Sequence, residues 1–315
     1  MLVSGVPAAS AMSEKTRAYV ILLFMPLFFS SNLVLGRAAL EMVEPWTQAF
    51  WRWALASLVL LPFAFTGIRR NADVLRSQWK LIALLGFLGM VLCGGFVYVS
   101  LRSTTATNST LIYTTSPVFV LLLEVLFRGQ RVRPRQVGGI LLAFVGVVVI
   151  VMHGEVQRLM RFELNPGDLG IAFASFAWAV YSVLLRRPAL QGLPTTALFA
   201  VIAMAGAVLL IPFMVWETVT VAPVPLKIAA WASLAGLAVV SSVLPFLSYQ
   251  YGVKVVGPSI TSAFLYLLPV YGVLQAMIFL GEEFHTYHAV GFVLVTAGVV
   301  MATAQFARRP AAEAA

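Results

Sequence analysis

The chain contains ten apolar runs, each long enough to cross a bilayer as a helix, and short polar segments join them. A spanning helix needs roughly 17–25 mostly apolar residues. Only 10% of the 315 residues are charged, whereas a soluble domain has about a quarter, so the outer surface is expected to face lipid. The sequence predicts an all-α polytopic membrane protein with ten transmembrane helices at 18–36, 46–66, 79–101, 107–127, 136–153, 168–185, 195–216, 226–250, 258–280 and 288–307.

The lysines and arginines lie mostly in alternate connecting segments. Fifteen of the 21 fall on the side of the N-terminus, five fall on the opposite side, and Arg52 falls within a span. Because cytoplasmic loops carry an excess of Lys and Arg, both termini are predicted to be cytoplasmic. The net charge of +9 is therefore interpreted as loop asymmetry, and no nucleic-acid partner is expected.

The two halves of the sequence resemble each other. An offset of 152 residues aligns prolines and glycines of the fourth and fifth spans with those of the ninth and tenth: Pro117 with Pro269, Gly129 with Gly281, Gly139 with Gly291, and Gly146 with Gly298. Each half holds five spans, and an odd number makes the second copy enter from the opposite side. The sequence therefore predicts two five-helix inverted repeats, an arrangement typical of secondary transporters.

The repeats give a domain organisation with short flanking segments. It comprises a cytoplasmic tail (1–17), a first five-helix repeat (18–153), an external linker (154–167), a second five-helix repeat (168–307) and a cytoplasmic tail (308–315).

Three local patterns carry a family resemblance. They are the small polar residues of the first span leading to Asn32 and Gly36, the segment Phe50-Trp51-Arg52-Trp53 in the second, and the Pro-hydrophobic-Gly cadence of the fourth and ninth. Over nearly its whole length the chain resembles the drug/metabolite transporter superfamily, in its ten-helix EamA-type branch. The resemblance implies a transporter of the bacterial-type inner membrane that exports amino acids, aromatic ones among them, or other small metabolites.

Prolines at matching positions of two repeats point to a transport site in secondary transporters. Pro117 and Pro269 form such a pair, and each removes a helix hydrogen bond and softens its span. A gating role is predicted for this pair, and the alternative is a static kink. Further hinge candidates in the first, third and eighth spans are Pro26, Gly94, Gly95 and Pro245, and for the two glycines a close helix contact is the alternative.

Aromatic and small polar side chains deep within the spans are the predicted substrate-binding residues. Phenol and indole groups in hydrocarbon need a polar partner or a wet cavity, and a pathway lined by them suits a small amphipathic solute. Packing between helices is the alternative for each ring. The candidates are Ser30, Asn32, Tyr113, Trp178, Tyr181, Tyr266 and Tyr271.

The charged residues bear on energetics. Of the twelve carboxylates only Glu124 is expected inside a span, where an ion pair with Arg128 one turn later is predicted. Proton-driven pumps usually keep an ionisable residue at depth, so weak or no proton coupling is predicted. Arg52 is expected to extend toward the outer surface, and holding a substrate carboxylate is the alternative if it faces a cavity.

Several functional classes lack support. The chain contains no HExxH, P-loop or GxSxG motif and no acidic cluster, and Cys93 is its single cysteine. No enzyme activity, metal, cofactor or obligate protein partner is therefore expected. The expected partners are a small-molecule substrate and the lipid bilayer. Three alternatives stay open: an exporter of drugs or lipophilic cations, a channel, and an intramembrane enzyme or lipid-handling protein.

Overall fold

The structure is a computed structural model that describes residues 13–128, 134–151 and 165–303. Most of the predicted tails and of the external linker therefore lies outside the described residues, as does Gly129. The side chain of Arg128 is also outside them. Within these ranges every regular element is a helix.

Ten main helical segments follow one another in the described ranges, and two of them are interrupted. They are α1 (Glu14–Ala39), α2 (Pro45–Arg70), α3 (Trp79–Leu101), α4 (Ala106–Tyr113 and Ser116–Arg128), α5 (Pro134–Val151), α6 (Pro166–Leu184), α7 (Thr195–Thr220), α8 (Ile228–Val255), α9 (Pro258–Ala263, a 3₁₀ turn Phe264–Leu267, and Leu268–Leu280) and α10 (Thr286–Thr303). Short helices Ala72–Ser77 and Pro188–Gln191 connect α2 to α3 and α6 to α7.

The described chain has the predicted character of a polytopic α-helical membrane protein. Eight of its helices are long and apolar enough to cross a bilayer, and shorter apolar segments, Val137–Ile150 and Thr286–Gly298, occupy the fifth and tenth predicted spans. The ten-span topology and the inversion of the repeats stay predictions.

Capping residues set where the helices begin and end. The hydroxyls of Ser13 and Thr105 accept the backbone N–H of Thr16 and Asn108 at the starts of α1 and α4, at 3.1 and 3.0 Å. The side-chain oxygen of Asn165 accepts the backbone N–H of Gly167 at the start of α6. Pro166 follows Asn165 directly, and its missing N–H is tolerated in the first turn of a helix. Gly281 ends α9 with a φ of 65°, a left-handed conformation that favours glycine.

The helix packing is reciprocal between the halves. Helix α2 packs on α7, and α5 packs on α10, so equivalent helices pair. Helix α1 of the first half packs on α8 and α9 of the second, while α6 packs on α3 and α4. This exchange is the contact pattern expected of a two-fold-related pair, and it brings six helices around one central region.

Irregular winding occurs at matching places in the two halves. Helices α4 and α9 are each interrupted just before the predicted hinge prolines, Pro117 and Pro269, which begin the next helical segment. Helix α3 contains a π-helical segment, Phe87–Phe96, and α8 contains another, Val239–Val243. Their first residues are 152 positions apart, the same offset as the two prolines.

Candidate functional site

A cavity lies between the two halves, near the middle of the bundle. Helices α1, α3, α4, α6, α8 and α9 all contribute to its wall, and about 410 Å³, which includes space open to solvent, is free of protein atoms. The space is narrow, with room for a few water molecules as the side chains stand. The lining residues are Phe29, Asn32, Leu33, Cys93, Tyr113, Trp178, Phe246, Leu265 and Leu268.

Aromatic rings form one side of this cavity. The Trp178 ring lies edge-on to Phe29 and to Phe246, with centroids 5.2 Å apart in both pairs, and it stacks on Tyr181 at 5.1 Å. Phe246 in turn meets Trp53 at 4.9 Å. Edge and offset contacts of this kind stabilise ring pairs beyond their area burial. The wall is therefore a fixed aromatic surface that favours flat apolar groups.

Polar groups of the cavity come from α1 and α3. Asn32 of α1 is 8% exposed, and its side-chain oxygen accepts hydrogen bonds from Arg52 at 2.6 Å and from the Tyr98 hydroxyl at 2.7 Å. The Cys93 thiol donates to the carbonyl of Ala174 at 3.3 Å. One side of the cavity thus carries an oriented amide beside an otherwise apolar wall.

Arg52 lies behind Asn32 and is 1% exposed. Besides Asn32 and Tyr98, its guanidinium donates to the carbonyl of Ser241 at 3.0 Å and to the hydroxyl of Ser242. The guanidinium carbon also lies 4.5 Å from the centre of the Trp53 ring. The partners come from α1, α3 and α8, so one arginine joins both halves next to the cavity.

The helix ends on the predicted external side are joined by an outer polar cluster, defined as Arg37, Thr104, Asn108, Asp168, Glu282 and His288. Asp168 is fully buried and accepts hydrogen bonds from the Thr104 hydroxyl and the Asn108 amide. His288 accepts the backbone N–H of His285 through Nδ1, so its Nε2 donates to the Asn108 oxygen, 3.1 Å away. This chain of bonds ties α4 to α6 and α10.

Glu282 is a further link between the halves in this cluster. Its carboxylate accepts the backbone N–H groups of Ala106 and Thr107, both at 2.9 Å, and the Thr107 hydroxyl at 2.6 Å. Arg37 lies 3.6 Å from the same carboxylate. A carboxylate at a helix N-terminus is well placed to satisfy free N–H groups. Glu282 therefore closes the end of α9 against the start of α4.

The comparisons with known proteins agree with this architecture. A model of the EamA-like transporter family matches residues 16–152 and, a second time, residues 165–304. The chain belongs to the EamA-like transporter family. It is accordingly a membrane transporter and not an enzyme.

Relatives of this EamA transporter span nearly its full length. It is 28% identical over 288 residues to the uncharacterized transporter YyaM of Bacillus subtilis (strain 168), with 90% of this chain and 93% of that one covered. An uncharacterized transporter of Archaeoglobus fulgidus is 29% identical over 294 residues, with 93% and 99% covered. A solved crystal structure with 22% identity has a TM-score of 0.64 over 93% of this chain and 99% of that one, a likeness in fold.

One relative has a name that states a substrate. The probable terminal-alkyne amino-acid exporter of Streptantibioticus cattleyicolor is 29% identical over 240 residues, with 75% of each chain covered.

The sequence-predicted substrate residues of this EamA transporter fall into two groups. Asn32, Tyr113 and Trp178 line the cavity. The other four candidates do not line the cavity. The Ser30 hydroxyl accepts a hydrogen bond from the Gln275 amide, and the Tyr181 hydroxyl accepts one from the Gln250 amide. The rings of Tyr266 and Tyr271 are half-buried.

The hinge candidates differ in their surroundings. Pro26 lies inside the continuous helix α1, and Pro245 begins the α-helical part of α8 after its π segment. A Cβ atom on Gly94 would lie 2.8 Å from the Trp53 indole nitrogen, and one on Gly95 would meet the Trp46 ring. Both glycines therefore sit at close helix contacts within the π segment of α3.

Two sequence-based expectations about charge are wrong. Arg52 does not extend to the surface, because partners on three helices hold it inside the bundle. Glu124 is also not the only carboxylate inside a span, since Asp168 and Glu217 lie within the helices α6 and α7 and are 0% and 3% exposed. Glu217 accepts the backbone N–H groups of residues 46 and 47 at the start of α2. Helix-capping carboxylates of this kind can be buried close to a span end, where hydropathy assigns them to a loop.

Glu124 lies on the predicted cytoplasmic side and contacts the second half. Its carboxylate is 3.9 Å from the guanidinium of Arg186, at the end of α6. The ion pair predicted with Arg128 concerns a side chain outside the described residues.

The matched prolines give a testable prediction. Replacing Pro117 or Pro269 by alanine supplies an N–H that can extend the preceding helix across the break, worth roughly 1 kcal/mol. We expect each variant to be slightly more heat-stable and its transport to be about fivefold slower, because the break is stiffened. The control is Pro212→Ala in the continuous helix α7, which should leave the rate unchanged. Equal rates in all three variants and the parent would contradict a hinge role.

Proposed function

We propose that this EamA transporter exports amino acids with aromatic or apolar side chains across the bacterial inner membrane by alternating access. The observation that carries the proposal is the central cavity, where a wall of rings built on Trp178 and Phe246 faces the single oriented amide of Asn32. An amino acid with an apolar side chain has the same division into one flat or apolar part and one polar part.

The surroundings of the cavity support alternating access. The interrupted helices α4 and α9 and the π-containing helices α3 and α8 all contribute lining residues. These four helices are the ones proposed to rock around the cavity. The outer polar cluster and the Glu124–Arg186 pair lie toward opposite ends of the bundle, so each is suited to close one side.

Weak or absent proton coupling is part of the proposal. The described ionisable side chains that line the cavity are Cys93 and Tyr113, and neither is a carboxylate or a histidine. Of the buried carboxylates, Asp168 and Glu217 lie in the terminal turns of α6 and α7, where they bind hydroxyl, amide or backbone donors. The third, Glu124, lies toward the end of α4 and 3.9 Å from Arg186. Flux of the substrate down its own gradient is the mode that this arrangement favours.

The name of the Streptantibioticus cattleyicolor relative, a probable amino-acid exporter, supports the same substrate class. An exporter of lipophilic cations fits less well, because the charge next to the cavity, that of Arg52, is positive.

Counterflow in proteoliposomes tests the proposal. Vesicles loaded with unlabelled L-phenylalanine should accumulate labelled L-phenylalanine, and L-leucine should compete, whereas L-aspartate and L-lysine should not. A pH-sensitive dye inside the vesicles should report no change that depends on substrate. Empty-vesicle levels of exchange for every amino acid would refute the substrate class, and a fixed ratio of protons to substrate would refute uncoupled transport.

A further inference from the structure

We propose that Asn32 and Arg52 form a carboxylate-binding subsite of the cavity, so that the transported solutes carry a free carboxylate group. Asn32 would contact the carboxylate, and Arg52 would act through Asn32 as a positioning and charge-supplying residue. The inference rests on the proposed function and names the chemical group that the cavity selects.

The first observation is a buried positive charge without a negative partner. Within the described residues the guanidinium of Arg52 bonds only neutral acceptors, and the ion pairs found there do not include it. An unpaired charge inside a protein is strongly disfavoured unless an anion compensates it. A chain that keeps such a charge beside a ligand cavity is arranged to receive the anion from the ligand.

The second observation is the orientation of the Asn32 amide. Its oxygen accepts from both Arg52 and the Tyr98 hydroxyl, at 2.6 and 2.7 Å, so that oxygen is directed away from the cavity. The amide nitrogen has no hydrogen-bond acceptor among the described residues, and Asn32 lines the cavity. Two N–H donors are therefore available to a solute, and the bond from Arg52 polarises them toward an anion.

The third observation is the distribution of charge around the cavity. Arg52 bonds the oxygen of Asn32, a lining residue, so its positive charge lies directly beside the cavity. The described lining residues include no Asp or Glu that would neutralise this field. In a low-dielectric space such a field favours carboxylates over neutral esters and opposes amines. The aromatic wall then accommodates the remainder of the solute.

A ligand series on the purified protein separates the carboxylate from the rest of the molecule. The probes are L-phenylalanine, its methyl ester, 3-phenylpropionate and 2-phenylethylamine, each tested for thermal stabilisation in detergent. We expect L-phenylalanine and 3-phenylpropionate to stabilise the protein at concentrations roughly tenfold or more below those needed for the ester and the amine. The reason is that only these two probes carry a carboxylate that can form a charge-assisted contact. Equal stabilisation by acid, ester and amine would overturn the subsite.

Variants assign the effect to the two residues. Arg52→Gln and Asn32→Ala should each weaken stabilisation by 3-phenylpropionate roughly tenfold or more and remove the preference for acid over ester. The matched control is Arg70→Gln, on the same helix but exposed at its other end, and it should bind as the parent does. Tight acid-selective binding by Arg52→Gln would refute the proposal.

The experiment distinguishes the two levels of inference. If 3-phenylpropionate binds in an Arg52-dependent way while the counterflow assay detects no amino-acid exchange, the substrate class fails and the carboxylate subsite stands. If amino acids exchange but Arg52→Gln exchanges them as the parent does, the subsite fails and the substrate class stands. Should Arg52→Gln not fold, the four-ligand series on the parent protein decides by itself.

Discussion

Replacing Glu282 by glutamine is expected to open the outer side of the cavity and to expose Cys93 there. The carboxylate holds the start of α4 through two backbone N–H groups and one hydroxyl, and it lies 3.6 Å from Arg37. Hydrogen bonds to a charged group contribute roughly 1.5–3 kcal/mol. Losing one such contribution raises the ratio of the open to the closed state by roughly ten- to hundredfold.

The cavity supplies its own reporter for this test. Cys93 is the single cysteine of the chain and lines the cavity, so a membrane-impermeant thiol reagent added to intact cells measures how often the outer side opens. Labelling of Glu282→Gln should be faster than that of the parent by the factor given above. The neighbouring variant Glu283→Gln is the control, because the Glu283 side chain is 84% exposed. Equal labelling of both variants would show that Glu282 does not hold the outer side closed.

Replacing Gly146 by alanine is expected to destabilise the pair α5–α10. A Cβ atom there would lie 2.7 Å from the backbone nitrogen of Val295 and 2.9 Å from the carbonyl oxygen of Gly291. Backbone atoms cannot rotate away as a side chain can, so the two helices must separate. In a bilayer, close packing through small residues is a main source of helix association. We expect the free energy of unfolding to fall by an amount at the upper end of the roughly 1–3 kcal/mol typical of overpacking.

The same substitution at a second glycine is expected to stabilise the protein. A Cβ atom on Gly236 in α8 would meet nothing within 4 Å, so Gly236→Ala should gain the roughly 0.5–1 kcal/mol by which alanine exceeds glycine in a helix. Thermal melting of both variants in one detergent measures the difference. A lower melting temperature for Gly236→Ala, or an unchanged one for Gly146→Ala, would contradict the packing described.

Much of the fold follows from the sequence because lipid imposes strict demands on length and polarity. The third span is predicted at 79–101 and the ninth at 258–280, and the helices occupy those ranges. Helix α1 begins at Glu14 rather than at residue 18, since Ser13 caps a turn that extends beyond the apolar run. Hydropathy does not detect such a turn, because its residues are polar.

The site is less predictable than the fold. Asn32, Tyr113 and Trp178 stand out because polar or amphipathic groups at depth need partners, and all three line the cavity. Phe246 and Leu268 line it too, but an apolar residue looks the same in the sequence whether it faces lipid or a ligand.

The surroundings of Arg52 illustrate a second limit on sequence reasoning. Its acceptors Ser241 and Ser242 lie about 190 positions along the chain. Only the packing of α8 against α2 brings these groups together, and no local pattern indicates it.

The π-helical segment of α8 determines which of its faces meets the cavity. A turn closed by bonds over five residues holds one residue more than an α-turn, and the Ser242 hydroxyl accordingly reaches back to the carbonyl of Leu237. Relative to even α winding, every residue after Val243 is thereby set back in phase by one position, about 100° of rotation. Even α winding of the same sequence would turn Phe246 and Tyr249 away from Trp178, whereas deleting one residue from Val239–Val243 should remove the wide turn and leave both rings on their present face. The helical phase of α8, as much as the identity of its side chains, thus decides which rings the solute meets.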